Sequence, residues 1–255
     1  MDFYEYELLV KLAENNDFYA IKRLLDYYFK NGNLDFEQNE SIDNEQILKY
    51  LNILIENKDS SAMLVLGALH YTGENEIVEQ DYSKAEYWYN EATKNKDLET
   101  YNCNSDALTN LGYIYFYGRT NKPDYKKAFL FFSKAACLGN PNGMFKIGDM
   151  YKNGKFVDKN FDISFYWYKK AFTQIENDDY NKASVALRLG EAYLYGYGTE
   201  ISLGNSLKYL QIAEKYFYKM VVKKPMLSNA MFINKPLKNT QELLDIVREK
   251  LNELL

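Results

Sequence analysis

Four pairs of glycines recur along the chain, the members of each pair six residues apart: Gly67 and Gly73, Gly112 and Gly118, Gly148 and Gly154, Gly190 and Gly196. An aliphatic residue precedes each first glycine: Leu66, Leu111, Ile147 and Leu189. Successive first glycines lie 45, 36 and 42 residues apart. A repeat of that length marks a chain built from stacked supersecondary units, each unable to bury its apolar face alone. A second pattern follows each glycine pair: a capping residue, a small residue four later, an aromatic three further on, and an alanine four beyond that. It reads Asp81, Ala85, Trp88, Ala92, then Asp124, Ala128, Phe131, Ala135, then Asn160, Ser164, Trp167, Ala171, then Ser202, Ser206, Tyr209, Ala213.

The spacing has a physical reading. Asp, Asn and Ser accept backbone N–H bonds at helix starts. The small residue, the aromatic and the alanine then fall at i, i+3 and i+7, on one helix face. That face is expected to be a groove of small residues filled by the aromatic. The glycine half is also helical, with Ala62, Leu66, Ala107, Leu111, Met144 and Ile147 as its apolar stripe. A glycine inside a helix costs about 1 kcal/mol against alanine, so close approach of a neighbouring helix is the expected return. The second glycine suits a left-handed helix stop. Asn140-Pro141 reads as a cap followed by proline at the first helical position. Each repeat is therefore a hairpin, helix A then helix B.

Upstream, Ala20, Leu24, Leu25 and Tyr28 resemble an A helix ending near Gly32, and Asp43, Ile47, Tyr50 and Leu54 resemble a B helix. A short helix near residues 3–15 precedes them, and residues 31–42 read as a polar loop. A long helix is expected from Asn205 to about Lys223. Pro225 and Pro236 then bound an irregular link, and a final helix runs from Thr240 to Leu255, with Leu243, Leu244, Val247 and Leu251 on its apolar face. The expected fold is all-α, a right-handed superhelical solenoid of stacked antiparallel helix pairs. It holds about five repeats and a C-terminal capping helix. The expected divisions are 1–58 for the N-terminal helices and degenerate capping repeat, 59–224 for four repeats, and 225–255 for linker and cap.

At these residues the chain resembles the Sel-1-like repeat family, a relative of tetratricopeptide repeats. The likeness is clearest in Leu111-Gly112 through Tyr115 and Gly118, then Lys127-Ala128, Phe131-Phe132 and Lys134-Ala135-Ala136. Lys84-Ala85 with Trp88-Tyr89, and Trp167-Tyr168 with Lys170-Ala171, repeat it. It spans residues 59–217 strongly and 17–58 weakly. The resemblance implies a scaffold for protein–protein contacts. The second glycine of the family's Gly-x-Gly survives only as Gly196 and Gly198, and the cysteine pairs of some secreted relatives are missing.

Composition narrows the function further. The net charge of −5, from 31 basic and 36 acidic residues, argues against broad nucleic-acid binding. The charge is uneven: residues 1–60 carry −7 and residues 201–255 carry +4. Seven lysines and one glutamate between Asn205 and Lys238 form a basic stretch, read as a solvated helix face or as a surface for an acidic partner. The N-terminal residues lack signal-peptide character, and no apolar stretch reaches membrane-spanning length, so a cytoplasmic protein with no membrane partner is expected. His70 is the only histidine and reads as a satisfied or exposed helix-end residue; Cys103, in a polar loop, and Cys137, at a helix end, read as free thiols. Glu176, Asp178 and Asp179 read as a solvated acidic turn. No catalytic residue, cofactor, metal site or small-molecule substrate is expected.

Helix geometry then nominates a surface. Counted from the first glycine at 100° per residue, positions −5, −1, 0 and +3 face the core; −3, +1 and +5 lie opposite, with −2 at the edge. A helices line the concave side of such stacks. The candidate partner-binding residues are Tyr113, Tyr117, Phe145, Asp149, Asn153, Arg188, Glu191 and Tyr195, expected to share one concave groove. Aromatics beside charges are the usual composition of interface hot spots. The expected function is a non-catalytic scaffold holding a protein or peptide in that groove. Alternatives are an immunity or antitoxin-like protein that blocks a toxin, and, from another class, a hydrolase using the groove carboxylates Asp149 and Glu191.

Overall fold

A computed structural model describes residues 3–31, 43–73, 77–94, 101–176, 178–223 and 231–254. All regular structure among the described residues is α-helical, as the repeat pattern requires. The helices are α1 (Phe3–Glu14), α2 (Phe18–Asn31), α3 (Asn44–Glu56), α4 (Ser60–Thr72), α5 (Tyr82–Ala92), α6 (Tyr101–Tyr117), α7 (Tyr125–Cys137), α8 (Pro141–Asn153), α9 (Phe161–Gln174), α10 (Asp179–Tyr195), α11 (Leu203–Lys223) and α12 (Met231–Asn252). They form two compact units, one of Met1–Ile114 with Arg119–Asn121 and one of Tyr115–Gly118 with Lys122–Leu255.

Three devices recur in the hairpins. The A helices α4, α8 and α10 stop at Gly73, Gly154 and Gly196, whose φ values of 65°, 63° and 73° are left-handed. Asp81, Asp124 and Asn160 accept backbone N–H bonds at the starts of α5, α7 and α9. Ser202 does so more weakly, with its hydroxyl 3.4 Å from the Asn205 amide. The third device is a backbone bond that closes each hairpin. The amides of Asp81, Asp124, Asn160 and Ser202 donate to the carbonyls of His70, Tyr115, Tyr151 and Tyr193 at 2.8, 2.9, 3.0 and 2.9 Å. Each of these acceptors stands three residues after a first glycine, so the bond locks helix B to helix A in one register.

The first glycines are where the helices approach. A Cβ at Gly67 would stand 2.7 Å from the Tyr89 ring, at Gly148 2.6 Å from the Tyr168 ring, and at Gly190 2.6 Å from the Leu210 side chain. This corrects the expected groove-filler. Tyr89, Phe132, Tyr168 and Leu210 are buried, four residues after the small position. Trp88, Phe131, Trp167 and Tyr209, three after it, are only half-buried. Positions i+3 and i+4 flank the line between the small residue and the alanine at i+7 equally, and it is the i+4 side that meets the A-helix glycine.

In the N-terminal unit, Tyr6, Leu9, Ala20, Leu24, Tyr50 and Leu54 from α1, α2 and α3 join Leu66 and Leu69 of α4 in one core. The Asp43 cap of α3 forms a full capping box with Gln46. In the C-terminal unit α12 docks on α11 and α10, burying Ile233, Leu243, Leu244 and Val247. It begins at Met231, earlier than expected, and carries Pro236 inside it, where the loss of one amide donor is tolerated beside the packed face. Thr240 Oγ1 donates to the Pro236 carbonyl one turn back, 2.7 Å away. Cys103 lies within α6 rather than in a loop. The polar loop expected at 31–42 falls beyond Asn31 outside the described residues, as does the link at 224–230.

Two outcomes check this packing. Replacing Gly148 by Leu should lower stability by about 1–3 kcal/mol, read as a lower melting temperature, since the Tyr168 ring holds the space; an unchanged melting temperature would refute the close-approach role. Deleting residues 231–255 should uncover Leu210, Ala213 and Phe217 and give aggregation or self-association by light scattering. A monodisperse, equally stable truncation would show that α12 is not a cap.

Candidate functional site

The face expected opposite the core is not uniform. Position +5 is outward: Tyr117 is 49% and Tyr195 44% exposed, and Asn153 is exposed as well. Position −3 is covered: Phe145 is 4% exposed, its ring 5.9 Å from that of Tyr168. Phe145 is thus core, because an A helix in a stack is flanked by neighbours and has no fully free back. Thr109 and Leu187, at the same position, are buried too. Tyr113 is half-buried and belongs to the N-terminal unit. The structure brings Asp149, Arg188, Glu191, Asn153 and Tyr195 together in the C-terminal unit.

Position +1 carries the carboxylates, and both are engaged in an ion chain between α8 and α10. Arg188 Nε lies 3.1 Å from Asp149 Oδ1, and Arg188 Nη1 lies 3.6 Å from Glu191 Oε2. Lys152 Nζ pairs with Glu191 Oε2. Lys146 Nζ stands 3.9 Å from Asp149 Oδ2. Tyr168, whose ring fills the space at Gly148, sends its hydroxyl to donate to Asp149 Oδ1 at 2.7 Å. One aromatic side chain therefore closes the third hairpin and orients a carboxylate of the chain. The register explains the geometry: Lys146 and Arg188 share position −2, Asp149 and Glu191 share +1, so each pair is i,i+3 on its own helix and cross-bridged to the next.

Burial opposes the Arg188 charge, but Asp149 and then Glu191 more than offset it, so the guanidinium pKa lies above the ordinary arginine value. The Tyr168 phenol is pushed well above its usual range by burial first and by the Asp149 charge second. Tyr195 is raised by burial and by Glu191. Its ring lies 5.5 Å from Tyr197, which stacks on Phe161 at 4.5 Å. The result is an ordered charged floor beneath an exposed aromatic rim. Lys146, Lys152 and Tyr168 were missed in the sequence. The signal for the two lysines was present: Lys146 at −2 stands i,i+3 from Asp149 on its own helix, and Lys152 at +4 faces Glu191 at +1 of the next A helix.

Other candidates resolve as structure. His70 is buried, and its Nδ1 lies 3.2 Å from the Glu79 carbonyl. Asp178 of the acidic turn caps α10 by accepting from the Asn181 amide at 2.9 Å. Lys182 donates to the carbonyls of Phe172 and Ile175 at 2.7 and 2.9 Å, which caps the end of α9. Cys137 is free and exposed. Among the described residues no helix is long and apolar enough to cross a membrane.

Helix hairpins closed on paired glycines, stacked so that A-helix side chains link successive repeats, define a helical-repeat protein. The chain belongs to the Sel1 repeat family: the family's model matches residues 60–97, 105–140, 141–174 and 183–215, more than half of its length. It is similar to the chitin synthase regulator SKT5 of Saccharomyces cerevisiae, at 30% identity over 111 residues, 42% of this chain and 14% of that protein. The chain thus spans about one seventh of that relative's length. Among solved structures it resembles c5321, a protective antigen of uropathogenic Escherichia coli with an SLR fold. That match has a TM-score of 0.66 and 24% identity, and covers 96% of this chain and 48% of that one. It also resembles a Sel1 repeat protein from Oxalobacter formigenes, with a TM-score of 0.63 and 21% identity, covering 92% of this chain and 89% of that one.

The buried phenol gives a pH test. The folded pKa of Tyr168 is raised, so its stabilising share is whole below the unfolded tyrosine value near 10 and is lost as pH rises above it. Unfolding free energy should fall by about 1.4 kcal/mol per pH unit for each such tyrosine. The Tyr168→Phe variant should be less stable at neutral pH, having lost the bond to Asp149, yet decline less steeply above pH 10. Equal slopes in denaturant titrations would refute the buried, neutral phenol.

Proposed function

We propose that the chain is a non-catalytic protein-binding module whose C-terminal unit holds a protein or peptide partner over α8 and α10. One observation carries this reading: exposed Tyr195 and Asn153 border a fixed chain of charges, Lys146, Asp149, Arg188, Glu191 and Lys152. Side chains held by one another before binding lose little entropy on association, and aromatic anchors next to them supply most of the energy. The cations and carboxylates satisfy each other, which suits recognition of a polar protein surface better than hydrolysis by a carboxylate pair. Blocking a toxin would be one form of the same protein-holding role.

The double change Tyr117→Ala with Tyr195→Ala tests it. Aromatic anchors cost about 2 kcal/mol or more each when truncated, close to a thirtyfold loss of affinity. The melting temperature should stay near the wild-type value, while quantitative affinity purification from the native cell should lose the partner that wild type retains. A folded variant with an undiminished partner would overturn the proposal and turn attention to the lysine-rich stretch from Lys208 to Lys238.

A further inference from the structure

The N-terminal unit holds an open trough of about 680 Å³ that is independent of the face described above. Its floor and walls are apolar: Leu25 and Phe29 of α2, Leu54 of α3, and Val65, Ala68 and Leu69 of α4. Tyr19, 69% exposed, and Phe29, 37% exposed, stand at its mouth. The trough follows α4 from Ser61 to Thr72, a run of roughly 17 Å at the helical rise of 1.5 Å per residue. That length matches about three turns of a second helix, and an apolar trough along one helix is the receiving half of helix-in-groove recognition.

Charge identifies the flanks of the occupant. The residues of the N-terminal unit number 22 acidic against 10 basic, a net charge of −12, while the rest of the chain carries +7. The two cations on the rim do not reverse this, because Lys22 is paired with Asp59 and Arg23 with Glu5. Asp26 also lines the rim. Electrostatic complementarity sets partner choice and on-rate, so the net negative charge of the unit favours an occupant with basic flanks. We infer that this trough docks a basic amphipathic helix of a partner protein, an apolar stripe in the cleft and lysines or arginines along its sides.

The probe is a synthetic 15-residue helical peptide with leucines at i, i+3, i+7 and i+11 and lysines on the flanks, titrated by fluorescence anisotropy into the full chain. A twin carries glutamates in place of the lysines. The lysine peptide should bind at least about tenfold more tightly at low salt, the gap narrowing as salt screens the charges. Ala68→Phe, which fills the cleft, and Tyr19→Ala, which trims its exposed mouth, should each weaken binding with folding intact by circular dichroism. Because Tyr19 is a surface residue, the second variant remains informative should the first misfold. The Tyr117→Ala, Tyr195→Ala protein should bind the peptide as wild type does, which separates this inference from the C-terminal site. Equal affinity for both peptides, no binding of either, or binding that survives both trough variants would overturn it. So would sedimentation showing self-association that the same variants abolish, which would make a second copy the occupant.

Discussion

The first, third and fourth hairpins close where a B-helix side chain occupies the space a Cβ would need on the A helix. Tyr89 at Gly67, Tyr168 at Gly148 and Leu210 at Gly190 all stand inside 3 Å of that missing atom. The glycine weakens its own helix by about 1 kcal/mol, whereas burying a large side chain against it is worth about 1.5–3 kcal/mol. The exchange is favourable only while the partner stays in register, and the backbone bond from the B-helix cap to position +3 keeps it there. Ser206 adds a further tie in the fourth repeat, its hydroxyl donating to the Gly190 carbonyl at 2.9 Å. A position counted from the first glycine therefore stands in the same relation to its own B helix in every hairpin, and that regularity allows side chains of the repeats to be compared.

How far the sequence could be read follows from this. Glycines and caps act through local backbone geometry, so Gly73, Gly154 and Asp81 disclosed helix ends and hairpin order directly. The groove-filling side chain was misplaced by one residue, to Trp88 and Trp167 instead of Tyr89 and Tyr168, because both lie within reach of the face and only packing against the glycine separates them. The start of α12 was placed too late, because Pro236 reads as a boundary when local preference is considered alone. Tertiary packing overrode that preference.

The candidate site was legible to a similar depth. Helical angles correctly set Tyr117, Asn153 and Tyr195 outward, and they marked Asp149 and Glu191 as a shared register. They could not show that Phe145 is covered, since a wheel drawn on one helix omits the neighbours on either side. Nor could they show the Tyr168 hydroxyl reaching Asp149, a contact that depends on a ring about two turns into another helix. Charges on separate repeats become partners only once the stacking is known.

Positions −2 and +1 then separate what the repeats share from what they do not. In the first repeat they are Val65 and Ala68, which line the apolar trough. In the second they are Asn110 and Tyr113, and in the third and fourth Lys146 with Asp149 and Arg188 with Glu191, which form the ion chain. Hairpin closure makes no demand on these positions, because the glycine, the cap and the backbone bond supply it elsewhere. Their chemistry is free to vary without loss of fold, and it passes from apolar to charged along the chain. Four copies of one hairpin thereby present different surfaces from one register.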